Sequence, residues 1–155
     1  MLDEISLKIL KILQKKARIP NVEVARQVKM APSAVLERIR KLEKMGFIDG
    51  YEVRLNPEKF QRNLVAFITV KIHSRKSVTQ TGKRLSVIPE IQEVHHITGN
   101  DGFLVKVRVS DVTELGHLLQ EKILKIAAVS TTQTVIAMST FKETARIPID
   151  THDIS

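Results

Sequence analysis

Residues 21–46 read NVEVARQVKMAPSAVLERIRKLEKMG, and the spacing of their apolar positions predicts two short helices joined by a tight turn. Ile19-Pro20 is a break and Asn21 is a capping residue type, after which Val22, Ala25 and Val28 mark a short helix. The small Ala25 would let a neighbour pack closely. Lys29-Met30-Ala31 forms the turn. Pro32 suits the first position of the next helix, where its missing N–H costs nothing. Val35, Ile39 and Leu42 then make an inward stripe until Met45-Gly46 stops it. The turn holds no glycine, so either Lys29 accepts a left-handed conformation or the turn departs from the usual one.

Ahead of this pair, Leu2, Ile5, Ile9 and Ile12, with Leu10, Leu13 and Ala17 beside them, form another helical stripe that Asp3 caps and that ends near Arg18. Three helices within the first 50 residues, the last two tightly joined, describe a helix-turn-helix. At roughly 100° per residue, the third helix points Ser33, Glu37, Arg40, Lys41 and Lys44 outward and carries Ala34 and Arg38 on a flank. Only side chains early in such a helix reach base edges, so Ser33, Ala34, Glu37 and Lys41 are expected in a DNA groove and Arg40 and Lys44 on phosphates. Arg38 suits an ion pair as well as it suits DNA, and Glu37 with Lys41 is also an ordinary i,i+4 pair.

Charge supports this reading. The chain has 155 residues, 25 Lys plus Arg against 17 Asp plus Glu, and a net charge of +8. The first 50 residues hold 11 basic and 6 acidic side chains and the remaining 105 hold 14 and 11, so most of the excess sits in the helical segment. Such a patch favours a polyanion, because each cation that meets a phosphate releases a counterion. Double-stranded DNA is the expected partner. The absence of cysteine excludes a disulfide framework, thiolate chemistry and zinc held by sulfur. Apolar runs are short and broken by Lys, Glu or His, and Met1-Leu2-Asp3-Glu4 is acidic where a secretory leader would be basic, so the reading is a soluble, cytoplasmic chain with no membrane partner.

Beyond Gly50 the pattern changes. Phe47 to Leu55 alternates around Asp49-Gly50 and stops at Asn56-Pro57, which predicts an extended connector over 51–63 between a DNA-binding domain (1–50) and a second domain (64–143), with 144–155 as a tail. Leu64 to His73 is β-branched and alternating, a strand. Val78, Leu85 and Ile88 predict a helix ending at Pro89, and Ile91, Val94 and Ile97 a strand ending at Gly99-Asn100-Asp101-Gly102. Phe103 to Val109 is a third strand, Val112 to Ile126 an amphipathic helix through Val112, Leu115, Leu119, Ile123 and Ile126, and Val135 to Phe141 lies in a last strand. The order β-α-β-β-α-β predicts an α+β fold, a four-stranded antiparallel sheet with both helices on one face in the ferredoxin-like arrangement. Its other face is also apolar, as Phe67 next to Ile68 shows, so self-association into at least a dimer is expected.

A catalytic reading would rest on His73, His95, His96, His117 or the carboxylates. His95 and His96 are adjacent on a strand and point to opposite faces, so they do not share a metal. No nucleophile, base and orienter group together, and no phosphate-binding glycine motif opens a helix. The sequence therefore predicts no enzyme, no catalytic residue, no metal and no cofactor.

Several motifs carry a resemblance: Leu-Asp-x-Ile at Leu2 to Ile5, Ile-Leu-x-x-Leu-Gln at Ile9 to Gln14, Val-x-x-Arg-Ile-x-x-Leu-Glu at Val35 to Glu43, Gly-x-Ile-x-Gly-Tyr at Gly46 to Tyr51, and Thr98-Gly99 before a hydrophobic strand. Together they resemble the Lrp/AsnC (leucine-responsive, feast/famine) family of transcription regulators over nearly the whole chain. The resemblance implies an amino-terminal winged helix-turn-helix and a ferredoxin-like (RAM, ACT-like) effector and oligomerisation domain. It also implies a homodimer that assembles further to a tetramer or octamer, nucleoid association, and an amino acid or related metabolite as effector. The implied effector residues are Gly99, Asn100, Asp101 and Gly102, with Thr132 and Thr134 on the final strand, where the two threonines are equally read as plain β-branched strand residues. The chain departs from the family pattern in having Gly102, not Asp, directly before Phe103, in Lys29 where Gly is common, and in Ala31-Pro32 where Ser usually opens the third helix. Two other readings remain: a DNA architectural protein without a metabolite switch, and a metabolite-binding domain with a vestigial basic half.

Overall fold

The computed structural model describes residues 2–99 and 102–150. They form two compact units, one running to Arg54 and joined by the chain from Glu143 onward, the other Leu55–Lys142.

In the first unit, helix α1 is Glu4–Lys15. Asp3 caps it as expected, its carboxylate accepting the Ser6 N–H at 2.8 Å. The helix stops short of Arg18, and Ala17 is exposed. Helix α2 is Asn21–Val28, and Asn21 is its first residue rather than its cap; the N–H groups of Glu23 and Val24 donate instead to the Pro20 carbonyl, at 2.9 and 3.2 Å. Val24 and Ala25 are buried while Val22 is 67% exposed, which corrects the inward stripe. In so short a helix the apolar residues fit two stripes equally, and packing against the neighbouring helices selects between them.

Lys29 does adopt the left-handed conformation (φ 57°, ψ 47°), and the Met30 N–H returns to the Ala25 carbonyl at 3.0 Å to satisfy the helix end. Helix α3, Pro32–Lys44, buries Val35, Ile39 and Leu42. Gly46 at φ 75° terminates it: the Phe47 N–H donates to the Leu42 carbonyl at 2.9 Å and the Gly46 N–H to that of Glu43 at 3.0 Å. Isolated helices this short are marginal. Their common core of Ile9, Leu13, Val24, Ala25, Val35, Ile39 and Leu42 holds them, each larger side chain contributing about 1.5–3 kcal/mol on burial.

The second unit contains β1 (Leu64–Ile72), α4 (Val78–Ser86), β2 (Ile91–Ile97), β3 (Gly102–Val109), α5 (Val112–Leu118) and β4 (Val129–Ile136). The sheet is antiparallel in the order β2-β3-β1-β4, the expected ferredoxin-like topology. Two boundaries differ from expectation. The last strand, Val129–Ile136, holds Thr132 and Thr134 as expected but ends at Ile136, where its pairing with β1 stops, leaving Phe141 outside it and fully exposed. The second long helix is α-helical only to Leu118 and continues as a π-helical turn, Leu119–Ile123, which brings Ile123 into the core; Val112 at its start is 64% exposed.

Ala66, Ile68, Val70 and Ile72 of β1 and Phe103, Val105, Val107 and Val109 of β3 face the helices and pack with Leu85, Leu115, Leu118 and Ile123. On the opposite face Val65 is buried, Phe67 and Leu104 are half-buried, and Lys106 sits beside Phe67 with its ammonium 3.4 Å from Glu93.

Candidate nucleic-acid interface and effector loop

Helix α3 presents its polar side as the wheel required. Ser33, Glu37, Arg40, Lys41 and Lys44 are exposed, and Ala34 and Arg38 are half-buried on the flank. The eleven steps from Ser33 to Lys44 span about 16 Å at roughly 1.5 Å each, and a helix of this width enters a major groove. Glu37 pairs with Arg40 at 3.0 Å rather than with Lys41. Lys41 and Lys44 form no salt bridge among the described residues and lie in the last turn, where cations complement the helix dipole.

Arg38 is held elsewhere. Its guanidinium donates to the Asp3 carboxylate at 2.6 Å and to the Ser6 hydroxyl at 3.1 Å, tying α3 to the start of α1. Hydrogen bonds from Ser6, and then the Arg38 guanidinium, pull the Asp3 carboxyl down to about 2 from an ordinary 3.8. Of the two roles open to Arg38, the structure shows the ion pair.

Two features escaped the sequence reading. The Tyr51 hydroxyl donates to Glu43 at 2.8 Å and anchors the extended segment to α3; burial and the Glu43 carboxylate push its pKa up to about 12. The second lies in the tail. The Gln14 side chain grips Ile147 at two points, donating to its carbonyl at 3.0 Å and accepting its N–H at 2.7 Å, while Arg146 donates to the Lys15 carbonyl at 3.3 Å. Helical and strand periodicities are local and carry no signal for contacts 133 residues apart.

In the second unit, Gly99 has φ 90° at the end of β2, a conformation that favours glycine. Asn100 and Asp101 lie outside the described residues. Gly102 opens β3 and is buried; a Cβ there would lie 2.0 Å from the Val70 carbonyl oxygen, so close backbone approach alone demands glycine. Thr132 and Thr134 are half-buried on the helix-covered face of β4, opposite Val70 and Ile68. Strand β1 separates them from β3, so within one chain the threonine pair and the glycine loop stand at least two strand spacings, about 10 Å, apart. A separate open groove of about 680 Å³ lies between α4 and β2, with Gly82, Lys83, Val94, His96 and Phe103 among its walls. The His96 and Phe103 rings are 5.5 Å apart in it.

Residues 2–49 match the family model for winged helix-turn-helix DNA-binding, and residues 64–147 match that for the Lrp/AsnC ligand binding domain. Together with the exposed basic face of α3, these define a DNA-binding transcription regulator. The chain is 36% identical over 152 residues to the leucine-responsive regulatory proteins of Escherichia coli K12 and Klebsiella pneumoniae, covering 97% of its own length and 93% of theirs. It superposes on Escherichia coli AsnC with a TM-score of 0.87 at 25% identity, covering 96% and 99% of the two chains. On a Neisseria meningitidis transcriptional regulator solved as an L-Met complex, the TM-score is 0.90 at 28% identity, covering 96% and 97%. The chain belongs to the Lrp/AsnC family.

Proposed function

We propose that α3 reads DNA through Ser33, Ala34, Glu37 and Lys41, with Arg40 and Lys44 on flanking phosphates, and that an amino acid or related metabolite tunes this binding from the second unit. The observation that carries the first part is the exposed ridge of α3, on which Lys41 and Lys44 make no salt bridge among the described residues. Phosphate neutralisation then supplies most of the affinity and α3 supplies the register. A dimer sets two such helices about one duplex turn apart, so the sites are imperfect palindromes. Pairing of the sheets' open faces, where Val65, Phe67 and Leu104 gather, is the simplest way to build that dimer.

The effector reading rests on the ligand-binding family model and on the L-Met held by the Neisseria relative. Gly99, at positive φ and with open space around it, is the place in the loop where backbone can approach a carboxylate, and Asp101 is the expected partner of an ammonium. Thr132 and Thr134 are two strands away in the same chain, so a site that combines them with the loop draws on a neighbouring subunit. Assembly of dimers into a tetramer or octamer provides one. Such a regulator works in the cytoplasm, on the nucleoid, without catalysis.

The test is footprinting on genomic fragments followed by titration of the protected site. Lys41→Ala is expected to lose about 5–150-fold in affinity, the roughly 1–3 kcal/mol of one good groove contact, with unchanged thermal unfolding. Full affinity at moderate salt would refute the docking of α3. Calorimetry across the amino acids tests the effector: binding that disappears in Asp101→Ala supports the loop, and no binding by any amino acid favours an architectural protein instead.

A further inference from the structure

The DNA reading leaves one cationic surface of the first unit unused. From Lys8 to Arg18 the chain carries Lys8, Lys11, Lys15, Lys16 and Arg18 with no carboxylate among them. Lys8 is spent on Glu4. Lys11, Lys15 and Lys16 gather at the far end of α1, where with Ile12, Ile19 and Gln27 they line a groove of about 250 Å³ between α1 and α2. Ile12, Ile19 and the three exposed lysines make up most of its lining; the Glu23 carboxylate near Lys16 and Gln27 is already paired with Arg26 at 2.6 Å, so the lysines set the sign of the wall. Beside an apolar wall with a lower effective dielectric, those charges act more strongly than on an open helix face. The tail adds Arg146, docked on the Lys15 carbonyl.

The groove does not belong to the α3 surface. The seam with α3 runs through Asp3 and Ser6, which hold Arg38. Lys15 lies nine residues after Ser6, roughly half a turn round the helix axis, and the groove faces that other flank. We propose that this flank of α1 is a second phosphate-binding surface, which holds the backbone of duplex DNA outside the stretch that α3 reads. The inference rests on the DNA-binding reading above. A duplex already bound at α3 presents its flanking phosphates at high effective concentration, which makes DNA the polyanion this groove meets first.

The experiment compares two duplexes, the footprinted site alone and the same site with about 30 base pairs added on each side, by fluorescence anisotropy across a salt series. Each phosphate contact contributes about 0.9 to the slope of log affinity against log salt. The triple variant Lys11→Gln, Lys15→Gln, Lys16→Gln alters only exposed side chains. On the long duplex it is expected to lower the slope by about two to three for each subunit whose groove is engaged and the affinity more than tenfold, while the short duplex is bound as by the parent. A charge-matched control in the other unit, Lys59→Gln, Lys76→Gln, Lys83→Gln, should leave both duplexes unaffected, and replacing the three groove lysines by arginine should restore the slope. An equal loss on both duplexes, no loss on either, or a loss of the same size in the control would overturn the proposal. Binding of the parent chain to the short duplex reports separately on α3.

Discussion

Asp3 performs two jobs whose energies can be separated. Its carboxylate caps α1 through the Ser6 N–H and also receives Arg38 from α3. Losing a cap costs about 1 kcal/mol. The ion pair is partly solvated, with side-chain exposures of 52% for Asp3 and 31% for Arg38, so it contributes about 0.2–1 kcal/mol. Asparagine is as good a cap as aspartate but carries no charge. Asp3→Asn should therefore lose only the pair, about 0.5 kcal/mol, and Asp3→Ala the pair and the cap, about 1.5 kcal/mol. A double-mutant cycle with Arg38→Met should return a coupling of about 0.5–1 kcal/mol.

Urea unfolding followed by tyrosine fluorescence reads this directly, because Tyr51 is the single tyrosine and belongs to the first unit. The pH dependence has a fixed sign. The folded pKa of Asp3, about 2, lies below its ordinary 3.8, so its contribution is complete above the unfolded value and fades as pH falls from about 4 to 2. The gap between parent and Asp3→Asn should close over that window. If Asp3→Asn proves as damaging as Asp3→Ala, or the coupling with Arg38 is zero, the joint between α1 and α3 has been misread. Arg38→Met should also leave the salt slope of DNA binding unchanged; a decrease of about 0.9 would return Arg38 to the phosphates.

Lys29→Gly should raise the stability of the first unit by about 1 kcal/mol in the same urea assay, since a left-handed lysine carries a steric cost that glycine avoids. Gly102→Ala should destabilise the second unit by more than about 2 kcal/mol, or prevent its folding, measured by thermal unfolding, because the new methyl would overlap the Val70 carbonyl. Gln14→Ala removes both hydrogen bonds that hold Ile147, and trypsin should then cut after Arg146 several-fold faster, with the unfolding midpoint little changed. An unchanged cleavage rate would mean that Gln14 does not retain the tail.

The elements of this protein were legible to different degrees. Pro32, the Val35-Ile39-Leu42 stripe and Gly46 marked α3 at both ends, because capping and helical period are local properties of a chain. The strict alternation of Phe103, Val105, Val107 and Val109 did the same for β3. Helix α2 was harder: eight residues carry too few apolar positions to choose between Val22 and Val24. In the last strand the threonine positions Thr132 and Thr134 lie in the sheet as expected, but the apolar residues that run on to Phe141 do not, because pairing with β1 ends at Ile136. In the candidate DNA interface, the outward ridge from Ser33 to Lys44 follows from the wheel alone.

What composition and pattern decided by themselves was the kind of molecule: a basic helix-turn-helix joined to a ferredoxin-like sheet, because period, caps and charge all act within a few residues of one another. Tertiary structure decided the commitments of individual side chains. Arg38 pairs with Asp3, Glu37 with Arg40 rather than Lys41, Gln14 with a segment 133 residues away, and Gly102 packs on the Val70 carbonyl. Each of these depends on which groups the folded chain brings within hydrogen-bond or van der Waals range, and that proximity has no counterpart in linear spacing.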